Sequence, residues 1–343
     1  MSVLWQWLDL ALSAYFAGRM RPKAPAELYR EELSFYLRQE ILSDPGSLYR
    51  FPDEPPQIAV VERDRLAWAD RFRIAFPSPF TPLCPQTRVR YEAYGENRRA
   101  LAEWYRPSKK GRGALLYLHG WMAPSFELET RYLFAPLVEQ GGAQLVALVL
   151  PFHMARRPAA SSFSGEFFVS ADLTRTLEAF RQAVAETRAV LAWLRQQTEG
   201  AVAVAGISLG ALVAALALGG GAEPDLALLA LTPADPAHTL AQSPLLRHVR
   251  AQCWSNGVTP EQMDAWAPLL RPAALRPRIP AEHLYLVHGR EDQVSFPEDV
   301  VGLWEAWGHP PLIWYSGGHF TILFQPRRVL RLCLDFLERL RCA

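Results

Sequence analysis

The chain has 343 residues, half of them hydrophobic, and a formal net charge of +1. That is enough apolar material for one large domain carrying an insertion, and a near-neutral balance without a charge block excludes the basic stripe of a nucleic-acid-binding protein. Cys84, Cys253, Cys333 and Cys342 are scattered with no C-x-x-C pair and no Cys/His cluster, which excludes structural zinc and reads as reduced thiols in a cytoplasmic protein.

The first twenty residues carry no basic leader, and Asp9 interrupts their apolar run. They therefore read neither as a secretory signal nor as a membrane span. Leu4, Trp5, Leu8, Leu12, Tyr15 and Phe16 recur at helical spacing, with Trp7 and Leu10 widening the apolar face. The spacing predicts an amphipathic helix that packs on the domain, joins a homodimer or touches a membrane surface. The third role is disfavoured because the polar face lacks Lys and Arg. A second helix is expected over residues 26–42, with Tyr29, Leu33, Tyr36, Leu37 and Ile41 on one face, ended by Asp44-Pro45-Gly46. Residues 51–56 are proline-rich and stiff. They close a helical extension over 1–55 and precede a main domain over 56–343.

In the main domain, residues 88–94 and 99–105 flank Gly95-Glu96-Asn97 and predict a hairpin. Residues 113–118 form an apolar strand ending in His119-Gly120-Trp121. A helix over 130–140 and a strand over 144–150 follow. Next comes a mixed loop, 151–158, holding His153 and Arg156. Either of these can contact substrate, although a surface loop is the simpler reading. Leu173, Leu177, Phe180, Val184, Leu191 and Leu194 mark one face of a long helix with Ser170 as its N-cap. Further strands are expected over 201–205, 225–231, 284–288 and 312–315. Residues 233–282, rich in Pro, Ala, Trp and Leu, read as a lid of short helices. A closing helix over 326–340 turns Leu330, Cys333, Leu337 and Leu340 inward. Strands separated by helices imply an α/β fold with a mostly parallel sheet covered on both faces.

The segment Gly206-Ile207-Ser208-Leu209-Gly210 lies between an apolar strand and an Ala/Leu-rich helix. A strand, a G-x-S-x-G turn and a helix in that order make a nucleophile elbow. The turn exposes the Ser208 hydroxyl and brings the Leu209 N–H to a helix N-terminus, where unpaired donors can hold an oxyanion. A serine nucleophile needs a base, and the base needs an orienting acid. Gly289-Arg290-Glu291-Asp292 follows one of the last strands and Ser316-Gly317-Gly318-His319 follows the other. In a parallel sheet these ends share the edge that carries Ser208. Asp292 is the favoured acid; Asp235 and Glu291 are the rivals. His119 is expected to brace the loop after its strand, and His288 to be structural. His238 has no evident constellation.

With His-Gly after an early strand, G-x-S-x-G, G-x-x-D and G-G-H in this order, the chain resembles the α/β-hydrolase superfamily over residues 85–340. The resemblance implies the α/β-hydrolase fold, Ser208 as nucleophile, Asp292 as acid and His319 as base. It implies an oxyanion hole from the N–H groups of Leu209 and Trp121, with Met122 as the alternative second donor. Neither metal nor organic cofactor is implied. The expected reaction is hydrolysis of a small-molecule or lipid-like ester through an acyl-enzyme. The same triad also serves thioesters, amides and acyl transfer, and the fold also occurs in non-catalytic binding proteins. Trp121, Trp254 and Trp266 are candidates to line an apolar pocket under the lid.

Overall fold

The computed structural model describes residues 2–20, 22, 29–107 and 113–342, apart from the side chains of a few of these, Leu337, Leu340 and Cys342 among them. Its strands are β1 (Ala59–Arg65), β2 (Ala69–Pro77), β3 (Arg99–Pro107), β4 (Ala114–Leu118), β5 (Gln144–Val149), β6 (Val202–Ile207), β7 (Leu226–Ala230), β8 (Leu284–Gly289) and β9 (Leu312–Tyr315). They form one sheet in the order β1-β2-β3-β5-β4-β6-β7-β8-β9. The pairings from β1 to β5 are antiparallel, and those from β5 to β9 are parallel. β4, β5 and β8 are buried along their whole length. Helices cover both faces there, so these strands carry continuous rather than alternating apolar sequence.

The antiparallel edge differs from the expected hairpin. Residues Pro85–Tyr91 form a helix, not a strand. Pro85 suits the first turn, Thr87 and Tyr91 bury one stripe four residues apart, and Arg88 and Glu92 pair at 3.3 Å on the outside. The partner of β3 is β2, to which β1 adds an outer strand. β1 is charged and almost fully exposed, with Asp64 opposite Arg71 at 2.5 Å. Such charged edges resist pairing with other chains, and they also hide the apolar alternation that reveals a strand.

The second helix is broken into Arg30–Tyr36 and Gln39–Leu42; residues 26–28 of the expected span lie outside the described residues. Leu33, Tyr36 and Ile41 are buried as expected, in the same core as Leu48, Tyr49 and the sheet. The N-terminal helix, Ser2–Arg19, is turned differently from the expectation. Leu4, Trp7 and Tyr15 are exposed, whereas Asp9, Ser13 and Ala17 are fully buried.

The long helix Leu173–Gln197 is buried nearly all round rather than on one face. Its N-cap is Asp172, which accepts from the Arg175 N–H at 3.0 Å; Ser170 instead accepts from the Arg175 guanidinium. The helix also buries charge, because each charge has a partner. Glu178 meets Tyr36 and Arg181, and Glu186 forms a two-pronged pair with Arg156 at 2.6 and 2.8 Å. Arg156 and His153 are thus wholly buried, and the 151–158 loop neither offers them to substrate nor leaves them at the surface. Residues 233–282 contain short helices, Pro236–Gln242, Arg247–Ser255 and Pro260–Trp266, joined by turns. The closing helix is Pro326–Cys342. Cys84 and Cys253 are buried free thiols, and Cys333 is a half-buried one.

Candidate active site

Four loops at the carboxyl ends of parallel strands converge. Ser208 follows β6, Asp292 follows β8, His319 follows β9, and His119-Gly120-Trp121 follows β4. Ser208 occupies a positive φ of 54°. A serine tolerates this only where the surroundings hold the turn. Here the Ser208 N–H donates to Ala230 O at 2.8 Å, and the helix Leu209–Gly219 begins immediately afterwards. The two elbow glycines are required by close approach. A Cβ at Gly206 would strike the Gly210 carbonyl, and one at Gly210 would strike the Leu118 carbonyl.

His319 Nε2 lies 2.8 Å from Ser208 Oγ, and His319 Nδ1 lies 2.9 Å from Asp292 Oδ2. Asp292 is wholly buried. Its other oxygen accepts from the N–H groups of Val294 at 2.8 Å and Ser295 at 2.9 Å. Burial opposes its charge. The charge of His319, the hydrogen bond with it, the charge of His288 and the Val294 N–H nevertheless hold the carboxyl below the usual range. Burial would likewise lower His319, but the Asp292 charge, its hydrogen bond and the charge of Asp9 together hold the imidazole above 6.5.

The rival acids lie elsewhere. Asp235 caps the helix Pro236–Gln242 and pairs with Arg271 at 2.5 Å. Glu291 accepts from the Gly317 N–H at 2.6 Å. His119 receives the Leu150 N–H at 3.1 Å, and burial pushes it down to about 4, so it is a neutral brace for the strand end. His288 contacts Ser295 O at 3.0 Å beneath the acid loop. His238 does have a partner, Asp299 at 2.9 Å, which its sequence neighbours do not reveal.

Gly120 runs beside Ser208, so that a Cβ placed there would stand 3.6 Å from the serine Cβ. Leu209 opens the elbow helix and Trp121 and Met122 follow Gly120, with Met122 at a positive φ of 68°. The Trp121 indole donates to Gly165 O at 2.8 Å. Beside Ser208 opens an apolar cavity of about 840 Å³, its mouth included. Its walls include Trp121, Leu173, Phe180, Leu240, Met263 and Trp266. Trp254 is not among them and is exposed on the helix Arg247–Ser255. Among the described residues, no cluster of three or more His, Cys, Asp or Glu side chains is arranged to hold a metal ion.

Two groups in this site escape the sequence. Ser295 donates to Asp292 Oδ2 at 2.9 Å and stands 3.2 Å from His319 Nδ1. Asp9 reaches the same loops from the N-terminal helix. It is the sole charged residue before Arg19 in an otherwise apolar helix, and that isolation is the available signal.

The family model described as alpha/beta hydrolase domain containing 18 matches residues 82–240. A Mycobacterium tuberculosis protein, Rv2627c, is 30% identical over 315 residues, spanning 90% of this chain and 73% of its own length. The fold is also that of acetyl xylan esterase from Paenibacillus sp. R4, at 11% identity and a TM-score of 0.59, covering 95% of this chain and 99% of that one. Acetyl xylan esterase 1 from Thermoanaerobacterium sp. JW/SL YS485 is similar at 14% identity and a TM-score of 0.58, covering 90% and 99%. With this relative, this family model and a nine-stranded sheet of this order, the chain belongs to the α/β-hydrolase superfamily.

Proposed function

We propose that the protein is a serine hydrolase that cleaves carboxylic esters of apolar acids through an acyl-enzyme. The observation that carries this reading is the unbroken relay from Ser208 Oγ through the His319 imidazole to Asp292, at 2.8 and 2.9 Å. His319 Nε2 takes the Ser208 proton as the oxygen attacks the ester carbonyl carbon. Asp292 fixes the Nδ1–H tautomer and stabilises the imidazolium. The N–H groups of Leu209 and Trp121 are the proposed oxyanion donors, each contributing about 3 kcal/mol to the transition state in comparable sites. The imidazolium returns its proton to the departing alcohol. Water, deprotonated by the same nitrogen, then releases the acid. The apolar cavity supports an apolar acyl group over a sugar or polyanion, since it offers few hydrogen-bonding partners.

A fluorophosphonate probe followed by peptide mass spectrometry tests the nucleophile. Labelling is expected on Ser208 and is expected to vanish in Ser208→Ala, with turnover of p-nitrophenyl esters falling at least about 10³-fold at unchanged melting temperature. Retained turnover in that variant would refute the assignment. Thioester and anilide substrates sharing one acyl group separate ester hydrolysis from the other acyl chemistries of the triad.

A further inference from the structure

In the N-terminal helix Ser2–Arg19 the charged Asp9 is fully buried in line with Ser13 and Ala17, while Leu4, Trp7 and Tyr15 are exposed. The buried side is explained by what Asp9 touches. Asp9 Oδ2 accepts the N–H of Gln293 at 2.9 Å, and Oδ1 accepts the N–H of Phe320 at 2.7 Å. Gln293 directly follows Asp292 and Phe320 directly follows His319. One carboxylate therefore joins the loop of the acid to the loop of the base. The fit is tight. A Cβ at Gly318 would collide with the Asp9 carboxyl, and the Phe16 ring stacks on Phe320 at 4.7 Å to hold the helix in register.

We propose that Asp9 is a positioning residue of this site, tying the Asp292 turn to the His319 turn so that the docked N-terminal helix sets the geometry of the relay. The inference rests on reading Ser208, His319 and Asp292 as a triad. A buried carboxylate beside a second carboxylate is costly to retain for packing alone. Burial and the Asp292 charge both push Asp9 up, while the two N–H donors and His319 oppose them. The charged and titratable groups facing this cluster are Asp292 and His288 from the β8 end, Glu291 beside Gly317, and the Tyr315 hydroxyl, which donates to Gly318 O at 2.7 Å. Of these, Asp292 acts on His319 in the same direction as Asp9 itself, both raising it. Neutralising Asp9 therefore has two effects, a slacker relay and a less basic imidazole.

The test compares wild type, Asp9→Asn, Asp9→Ala and Phe16→Ala in the full chain. The readouts are kcat, KM, melting temperature and the His319 imidazole titration followed by NMR. Asp9→Asn is expected to lower kcat about 10- to 100-fold with KM within about 2-fold, and to lower the His319 midpoint. Phe16→Ala is expected to lower the melting temperature without moving that midpoint. Wild-type kcat and midpoint in Asp9→Asn would overturn the proposal. Equal kcat losses in Asp9→Asn and Phe16→Ala with an unmoved midpoint would do the same, leaving the helix a merely structural part. The NMR titration does not depend on turnover. A wild type inactive on esters would count against the proposed function, while the midpoint in Asp9→Asn still decides the role of Asp9. If Asp9→Asn does not fold, Gly318→Ala pushes the carboxylate off its donors, and an unshifted His319 midpoint there overturns the clamp.

Discussion

At the residue scale, His319, the proposed base, can take the Ser208 proton only while its imidazole is neutral. The imidazole is held above 6.5 by two carboxylates. The proposed mechanism needs it neutral, so kcat/KM is expected to rise with pH through a midpoint above that value and then level off. A profile between about pH 4 and 9 measures this, and an acid limb centred well below 6.5 would contradict the electrostatics. Asp292→Asn keeps the shape of the side chain but removes the charge that selects the Nδ1–H tautomer. It is expected to cost about 10⁴ in kcat with little loss of stability, read by steady-state kinetics beside a melting curve. Ser208, Asp292 and His319 were legible from sequence because each follows a short apolar strand within a glycine-containing turn. Ser295 was not, since a serine three residues after an acid is ordinary turn chemistry until the imidazole is placed beside it.

At the element scale, the helix Leu173–Gln197 defeats simple periodicity. Its buried charges find partners far along the chain, including Arg156 for Glu186 and Tyr36 for Glu178. Removing one partner of a buried pair leaves an uncompensated charge. Arg156→Leu is therefore expected to destabilise the protein by about 3–5 kcal/mol in urea unfolding, with the residual activity of the folded fraction unchanged. The helices of residues 233–282 make a different prediction. Trp266 is buried against the cavity beside Ser208. Trp266→Ala is expected to enlarge the cavity and raise the kcat/KM ratio of long to short acyl p-nitrophenyl esters by about 10-fold or more. An unchanged ratio would place the acyl group elsewhere.

At the scale of the whole molecule, the first 55 residues share the core of the sheet domain. Leu33, Tyr36, Leu48 and Tyr49 pack in one cluster with β-strand residues. Arg188 pairs with Asp53 at 2.8 Å, Arg181 donates to Leu48 O at 3.0 Å, and Tyr49 donates to Leu269 O. Deleting residues 1–55 would strip these partners from the long helix and expose its apolar and charged face together. The truncated chain is expected to lose its cooperative thermal transition, as calorimetry or near-UV circular dichroism would record. A sharp transition near the wild-type temperature would mean that the segment is dispensable to the fold.

The sequence by itself determined the parallel half of the sheet, the elbow and the order of Ser208, Asp292 and His319. The reason is local. Apolar runs between helices make buried parallel strands, and consecutive strand ends then fall on one edge whatever the rest of the chain does. The tertiary structure alone decided the charged outer strand β1, the burial of His153 and Arg156 and the rotation of the N-terminal helix. Periodicity predicts that a helix buries its apolar face, and here Asp9 nevertheless takes a fully buried position because the donors it satisfies belong to Gln293 and Phe320, 284 and 311 residues away. Leaving those two backbone N–H groups buried without an acceptor would cost about 1–3 kcal/mol each. Only the folded chain brings that demand and its carboxylate together.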